Sequence, residues 1–314
     1  MNIHKELVND DCRELNTRYG APGRIVFRPS DSGHPVVALA NKYGTAEVSL
    51  LGGNVFSYRP TGNQPVVFMP VMAQFRKDGE IHGGIPVCWP WFGRCGEPGT
   101  KSHGFVRHSV LRVKGSEYSE ETTEVTLALS SSEETKAVWP HDFELTLRVQ
   151  LSMKLNLYLT SKNTGTEPFT FTEGFHPYFK VKDRDAVSVY GVEGCEYVDA
   201  RDMSVHTQCG ELKANADTNH VFTLNQHEYV LMDPGLDRAI AMVSRGNSKL
   251  VVWNPGPGVR LPDLANEDWR RFLCVEPATL FREDGLTLKP GETHELLVAI
   301  QSVPNDGSVH ARHA

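Results

Sequence analysis

The sequence predicts an all-β protein, one large antiparallel β-sandwich with few short helices. Three observations carry that expectation. Apolar and polar residues alternate with period two over long stretches, helical periodicity is confined to two places, and no β–α–β rhythm occurs. With 314 residues, 39% of them hydrophobic, the chain has material for a sizeable core. No internal repeat, low-complexity tract or composition shift marks a linker, so residues 1–314 are expected to form a single domain.

The elements follow in chain order. Ile3, Leu7, Val8, Cys12 and Leu15 share one face of a helix over residues 3–15, a helical extension that Gly20 should end. VVALA and AEVSLL then read as strands. HGGIPVCWPWFG (82–93) is too interrupted for a helix and too rigid for a linker, so it reads as a stiff turn. TEVTLALS is a further strand, and Ser131 and Glu134 have capping-box spacing for a short helix at SEETKAVW. The clearest strands come next. Phe143, Leu145, Leu147, Val149 and Leu151 alternate with polar residues, and Leu155, Leu157 and Leu159 repeat the pattern. RAIAMVS, KLVVW, RFLCVE and HELLVAIQ complete the strand set, with turns at NTG (163–165) and KPGE (289–292). The last ~10 residues, with His310 and His313, are expected to fray.

Composition narrows the function. A net charge of −7 argues against nucleic acid or an anionic membrane as the main partner. No apolar run approaches the ~20 residues that span a bilayer, and the polar N-terminus lacks a signal-peptide core. Cys12, Cys88, Cys95, Cys195, Cys209 and Cys274 form no C-x-x-C pair and read as reduced thiols of a cytoplasmic protein. Thirteen histidines show neither H-E-x-x-H nor finger spacing, so no metal is expected. No G-x-S-x-G elbow, Walker or dinucleotide glycine signature occurs, leaving a cofactor-free enzyme or a binding protein.

Four clusters stand out: HGGIPVCWPWFG, HGFVRHS (103–109), EGFHPYF (173–179) and RFLCVEPA (271–278). Polar or ionisable residues set against glycine, proline and aromatics suit a sugar pocket, where rings pack on aromatic faces and fixed polar groups read hydroxyls. Glu276 shares a strand face with Phe272 and Cys274, opposite Leu273 and Val275, so it needs a partner or a pocket.

PVCWPWFG, HGFVR, SEETKAVWPHDF, FHPYF, VVWNPGP and FLCVEPA occur in that order. In these motifs the chain resembles the hexose-6-phosphate mutarotases (glucose-6-phosphate 1-epimerases) of the aldose 1-epimerase superfamily. The resemblance implies a galactose-mutarotase-like supersandwich and a catalytic pair, His176 of H-x-Y-F and Glu276 of C-V-E. Anomerisation needs one proton delivered to the ring oxygen while another leaves the C1 hydroxyl. Glu276 is then the expected general base, His176 the general acid, and His103 a group that holds the sugar. Trp89 is counted with the substrate-binding residues, and the stiff turn that carries Trp89 and Trp91 is expected to shape one wall of the pocket. VVWNPGPG is expected at the rim, with Asn254 capping a turn.

The resemblance also implies two phosphate-binding arginines. Arg107 of HGFVR matches one of them, but His82 stands where an R-G-G-[IV]-P turn has the other. Asn219 of DTNHVF replaces an acidic residue of the family pattern. Arg59, Arg76, Lys77 and Arg94 are candidate substitutes for the lost charge. The expected activity is α/β interconversion of an aldohexose 6-phosphate, glucose 6-phosphate foremost. Alternatives are a mutarotase for unphosphorylated or other aldoses, and a carbohydrate-binding or sensing protein that keeps the pocket. The expected partner is a small sugar or sugar phosphate, with a monomer favoured.

Overall fold

The computed structural model describes residues 3–76, 78–95, 100–215, 218–280 and 284–305. Lys77, His310 and His313 lie outside them, as do the side chains of Ile3, Leu7 and Val8.

Two large antiparallel sheets form the frame. A nine-stranded sheet runs Leu212–Lys213, Ser188–Tyr190, Glu228–Asp233, Arg238–Arg245, Thr293–Pro304, Leu155–Asn163, Phe143–Leu151, Thr123–Ser130, Arg112–Tyr118. An eight-stranded sheet runs Ser204–Thr207, Glu196–Asp199, Asn219–Thr223, Lys249–Trp253, Phe272–Thr279, Glu173–Phe175, Val87–Cys88, with Tyr178–Lys180 also paired to Phe272–Thr279. A four-stranded sheet over Ile25–Pro29, Pro35–Asn41, Gly44–Ser49 and Val55–Pro60, and a pair of Phe169–Phe171 with Leu286–Leu288, complete the set. One contiguous apolar cluster takes side chains from all four, which makes the arrangement a sandwich rather than separate sheets.

The alternation is realised residue by residue. Phe143–Leu151 buries every odd-numbered side chain, as the period-two pattern requires, and Leu155–Asn163 does the same. Each expected strand is present, but Leu50 and Leu51 fall beyond the strand Gly44–Ser49.

The N-terminal helix is longer than its apolar stripe, Ile3–Tyr19, and Gly20 follows its last residue. Asn16 docks it: its side chain both donates to Phe27 O (2.7 Å) and accepts from Phe27 N (2.9 Å). The short helix Glu133–Val138 is capped one residue later than its sequence spacing suggests. Ser132 and Thr135 form the reciprocal capping pair, while Ser131 Oγ donates to Asp142 Oδ1 at 2.8 Å. The helix therefore begins one residue later, with Ser132 in the capping position and Ser131 turned across to Asp142.

Candidate active site

Register brings the two chemistry-bearing motifs together. Phe272–Thr279 is buried along its whole length, paired on one side with Lys249–Trp253 and on the other with Glu173–Phe175 and Tyr178–Lys180. Gly174 pairs with Ala278 and Tyr178 with Cys274, so the same register runs through both short strands. His176 therefore falls opposite Glu276. Pro177 has no N–H to give, and the ladder is interrupted there. The backbone N–H of His176 turns instead to Pro86 O at 3.0 Å. The interruption leaves the imidazole free to face the carboxylate, with His176 Nε2 3.4 Å from Glu276 Oε2.

Strand parity then separates core from cavity. Leu273 and Val275 enter the main core, while Phe272 and Cys274 pack with Phe68 and Tyr178 on the other face. Glu276 is on that second face, 1% exposed, at the floor of a cavity of about 1010 Å³. Tyr178 stacks on His176 at 4.8 Å between ring centroids, and Trp253 meets it edge-on at 5.7 Å. These rings fix the imidazole plane. Gly174 is required beneath Phe92, because a Cβ there would sit 2.7 Å from the Phe92 ring.

The second motif supplies the wall. The backbone of Trp89 bridges Gly104, where φ is +75° and a Cβ would lie 1.9 Å from Trp89 O. Only glycine permits that approach. It holds His103, itself at φ +62°, with its ring edge-on to Phe92 and 5.4 Å from His176. Gly93 N–H donates to His103 Nδ1 at 3.2 Å, so a neutral ring carries its hydrogen on Nε2. Burial, reinforced by Arg107 and His82, holds this imidazole down to about 3, so His103 is a neutral donor. Arg107 follows in the 3₁₀ turn Val106–His108 and lines the cavity.

Glu276 and His176 are shifted in opposite directions. Burial pushes the carboxyl well above its ordinary value, opposed by Arg107. Burial likewise pushes the imidazole well down, helped by His103, Arg107 and His82. Burial therefore favours a neutral pair: one proton, held by the carboxyl and shared across 3.4 Å with a histidine of depressed basicity. The pocket thus makes His176 a weaker base than an ordinary imidazole. Cys274 Sγ lies close as well: donor atoms of His176, Cys274 and Glu276 are all within 4.8 Å of one another, the one set among the described residues that could hold a metal ion.

His82, Asn219 and Trp91 also line the cavity. Trp89 does not. It is 0% exposed, its indole sits among Phe105, Trp139, Phe143 and Phe171, and its Nε1 donates to Ser161 Oγ at 3.0 Å. Alternation explains the correction: Val87 and Trp89 point into the core, and only past Pro90 does a tryptophan reach the wall. Of the candidate substitute cations, Arg94 lines the cavity, Arg59 is exposed on its strand, and Arg76 is paired with Asp78. Asn254 caps its turn as expected, accepting from Gly256 N at 2.9 Å and donating to Trp269 O and Phe272 O. Sequence reasoning missed Asp263, whose carboxylate grips His82 from 181 residues away and belongs to no recognisable pattern. It also missed Glu80, which shares the wall.

The sequence profile of the aldose 1-epimerase family matches residues 35–301. The chain belongs to the aldose 1-epimerase family. Among curated relatives of this family member, a provisionally named glucose-6-phosphate 1-epimerase of Escherichia coli (strain K12) is 32% identical over 237 residues, covering 74% of this chain and 79% of that one. Another so named, from Cenchrus ciliaris, is 31% identical over 83% of this chain and 82% of its own. A provisionally named mutarotase from Salmonella typhimurium superposes with TM-score 0.85 and 26% identity, covering 91% of this chain and 96% of that one. A galactose mutarotase-like protein from Clostridium acetobutylicum shares the fold, with TM-score 0.71 at 18% identity over 89% and 98% of the chains. This aldose 1-epimerase family member therefore has the galactose mutarotase-like fold. Among its described residues no helix is long and apolar enough to cross a membrane, and none of its six cysteines is in a disulfide.

Proposed function

We propose that this chain is a mutarotase interconverting the α and β anomers of an aldohexose 6-phosphate, glucose 6-phosphate foremost, in the cytoplasm. The observation that carries the reading is the cross-strand pair His176 and Glu276, 3.4 Å apart at the cavity floor. Binding alone needs no buried acid and base sharing one proton, whereas anomerisation needs that combination. The names of the Escherichia coli and Cenchrus ciliaris relatives support the phosphorylated substrate class.

The chemistry runs on that proton. Passed to His176, it leaves Glu276 a carboxylate that takes the hydrogen of the C1 hydroxyl, and Arg107 favours this charged form. His176 gives the proton to the ring oxygen as the C1–O5 bond breaks. The open aldehyde turns about C1–C2, and O5 attacks the opposite face of C1. O5 returns its proton to His176, Glu276 returns the other to the former carbonyl oxygen, and the pair is restored. His103, a fixed neutral donor, steadies the ring oxygen or a hydroxyl. Trp91, Phe92 and Trp253 supply apolar faces for the ring, and Asn219 a hydroxyl contact.

The test is magnetisation exchange between anomers of glucose 6-phosphate, galactose 6-phosphate and glucose, with and without the protein. Exchange accelerated for at least one sugar supports the reading. Tight sugar binding with no acceleration would leave a binding protein.

A further inference from the structure

One corner of the cavity is built around an unusual histidine. The Asp263 carboxylate takes both N–H groups on one side of His82, the backbone N at 2.8 Å and ring Nδ1 at 2.7 Å. Asp263 is 9% exposed. Burial alone would push its carboxyl up, but the hydrogen bonds and charge of His82 prevail and hold it below its ordinary value. An ionised carboxylate only accepts, so Nδ1 must carry hydrogen. A neutral His82 is then the Nδ1–H tautomer, and Nε2 offers only a lone pair. A protonated His82 offers Nε2–H and a positive charge instead.

Resting on the mutarotase reading above, we propose that the Asp263-locked His82 is a specificity-determining residue that makes the preferred sugar depend on pH. Protonated, His82 joins Arg107 in holding an anionic 6-substituent. Neutral, it repels that anion with its lone pair and accepts a hydrogen bond from a free hydroxyl, so the cavity turns toward uncharged aldohexoses. The charged and titratable groups around His82 are Asp263 on Nδ1, Glu80 with Oε2 3.8 Å from Nε2, and Arg107, His103 and His176. Glu80 competes with the anion for Nε2–H. His103 stays neutral and His176 is pushed toward neutrality, leaving Arg107 as the permanent cation of this group.

The arrangement differs from an arginine at this position in one decisive respect. Arginine donates at every pH from several N–H groups, so it cannot turn against an anion. Here the one remaining ring nitrogen changes from donor to acceptor on losing a proton.

The experiment compares kcat/KM for glucose 6-sulfate and glucose between about pH 5 and 8. The sulfate ester keeps a single charge throughout, so its dependence reports the protein; glucose 6-phosphate, run in parallel, shows the added effect of its own titration. The anion-to-free-sugar ratio should fall about tenfold as pH rises, the worth of one charge-assisted hydrogen bond. His82→Arg should make the ratio high and flat. Asp263→Leu removes the acceptor that keeps hydrogen on Nδ1, so a neutral His82 can then donate from Nε2 and the fall should shrink. Glu80→Gln should raise the low-pH ratio. Independently of turnover, ¹⁵N spectra of the imidazoles should show neutral His82 with hydrogen on Nδ1. A ratio flat with pH in the wild type, or hydrogen on Nε2 of neutral His82, overturns the inference. Absence of exchange with every sugar sinks the mutarotase reading instead, while the ¹⁵N spectrum still decides the state of His82.

Discussion

Replacing Glu276 by Gln should abolish anomer exchange and stabilise the protein in the same step. The side chain is 1% exposed and opposite His176, and Gln keeps its shape, so packing is nearly unchanged. Loss of a general base costs about 10²–10⁴ in rate. The stability gain follows from linkage. Burial raises the folded carboxyl well above the ordinary 4.5, so above pH 4.5 the unfolded chain releases a proton that the folded one retains. Stability then falls as pH rises, by up to about 1.4 kcal/mol per pH unit, until the folded carboxyl itself ionises. His176, depressed below 6.5, acts oppositely: up to pH 6.5 the unfolded chain holds a proton the folded one lacks, so stability rises with pH. The two slopes oppose each other while both groups keep their neutral forms in the folded chain, and above the ordinary histidine range the carboxyl slope remains for as long as the folded carboxyl keeps its proton. Glu276→Gln removes that slope, so its advantage over wild type should widen with pH. Urea denaturation across a pH series measures it, beside exchange NMR on the same samples. Exchange within a few-fold of wild type, or a stability difference independent of pH, would refute the reasoning.

Four further outcomes are expected. His176→Asn should be comparably inactive, and the double variant with Glu276→Gln should lose far less than the product of the two, because both act on one transition state; single-turnover exchange rates check this. Arg107→Ala should lower kcat/KM for glucose 6-phosphate much more than for glucose. Added Zn²⁺ should inhibit reversibly through His176, Cys274 and Glu276, chelator should restore activity, and Cys274→Ala should weaken the inhibition, read as a shift in the Zn²⁺ dose response. Trp89→Ala should destabilise by about 3–5 kcal/mol in urea titration because the indole is wholly core, whereas Trp91→Ala should chiefly raise KM.

The long strands were legible because each buries one face: residues 143–151 alternate without a break. Glu173–Phe175 and Tyr178–Lys180 were not, because each is only three residues long and they frame His-Pro. Yet the register shared by those two short strands is what puts His176 opposite Glu276. The proposed catalytic pair was reachable through motif resemblance, and strand parity put Glu276 on the face that opens on the cavity. The error over Trp89 came from judging aromatics by neighbourhood rather than parity. Asp263 was beyond reach for another reason: its contact with His82 spans the fold and leaves no local periodicity. Pairing of that kind is decided by tertiary structure.

The strand Phe272–Thr279 acts as a thin partition, with the main core packed on one side and, at Glu276, reaction space on the other. Leu273 and Val275 answer to the folding machinery of the sandwich, and changes there are read as viability. On the other face Phe272, Cys274 and Ala278 are packed in smaller apolar clusters, and Glu276 is the residue of this strand that opens on the cavity. A randomised library seeking new substrates would therefore leave this strand as it is and vary wall residues that other elements supply, such as Trp91, Asn219 and Trp253.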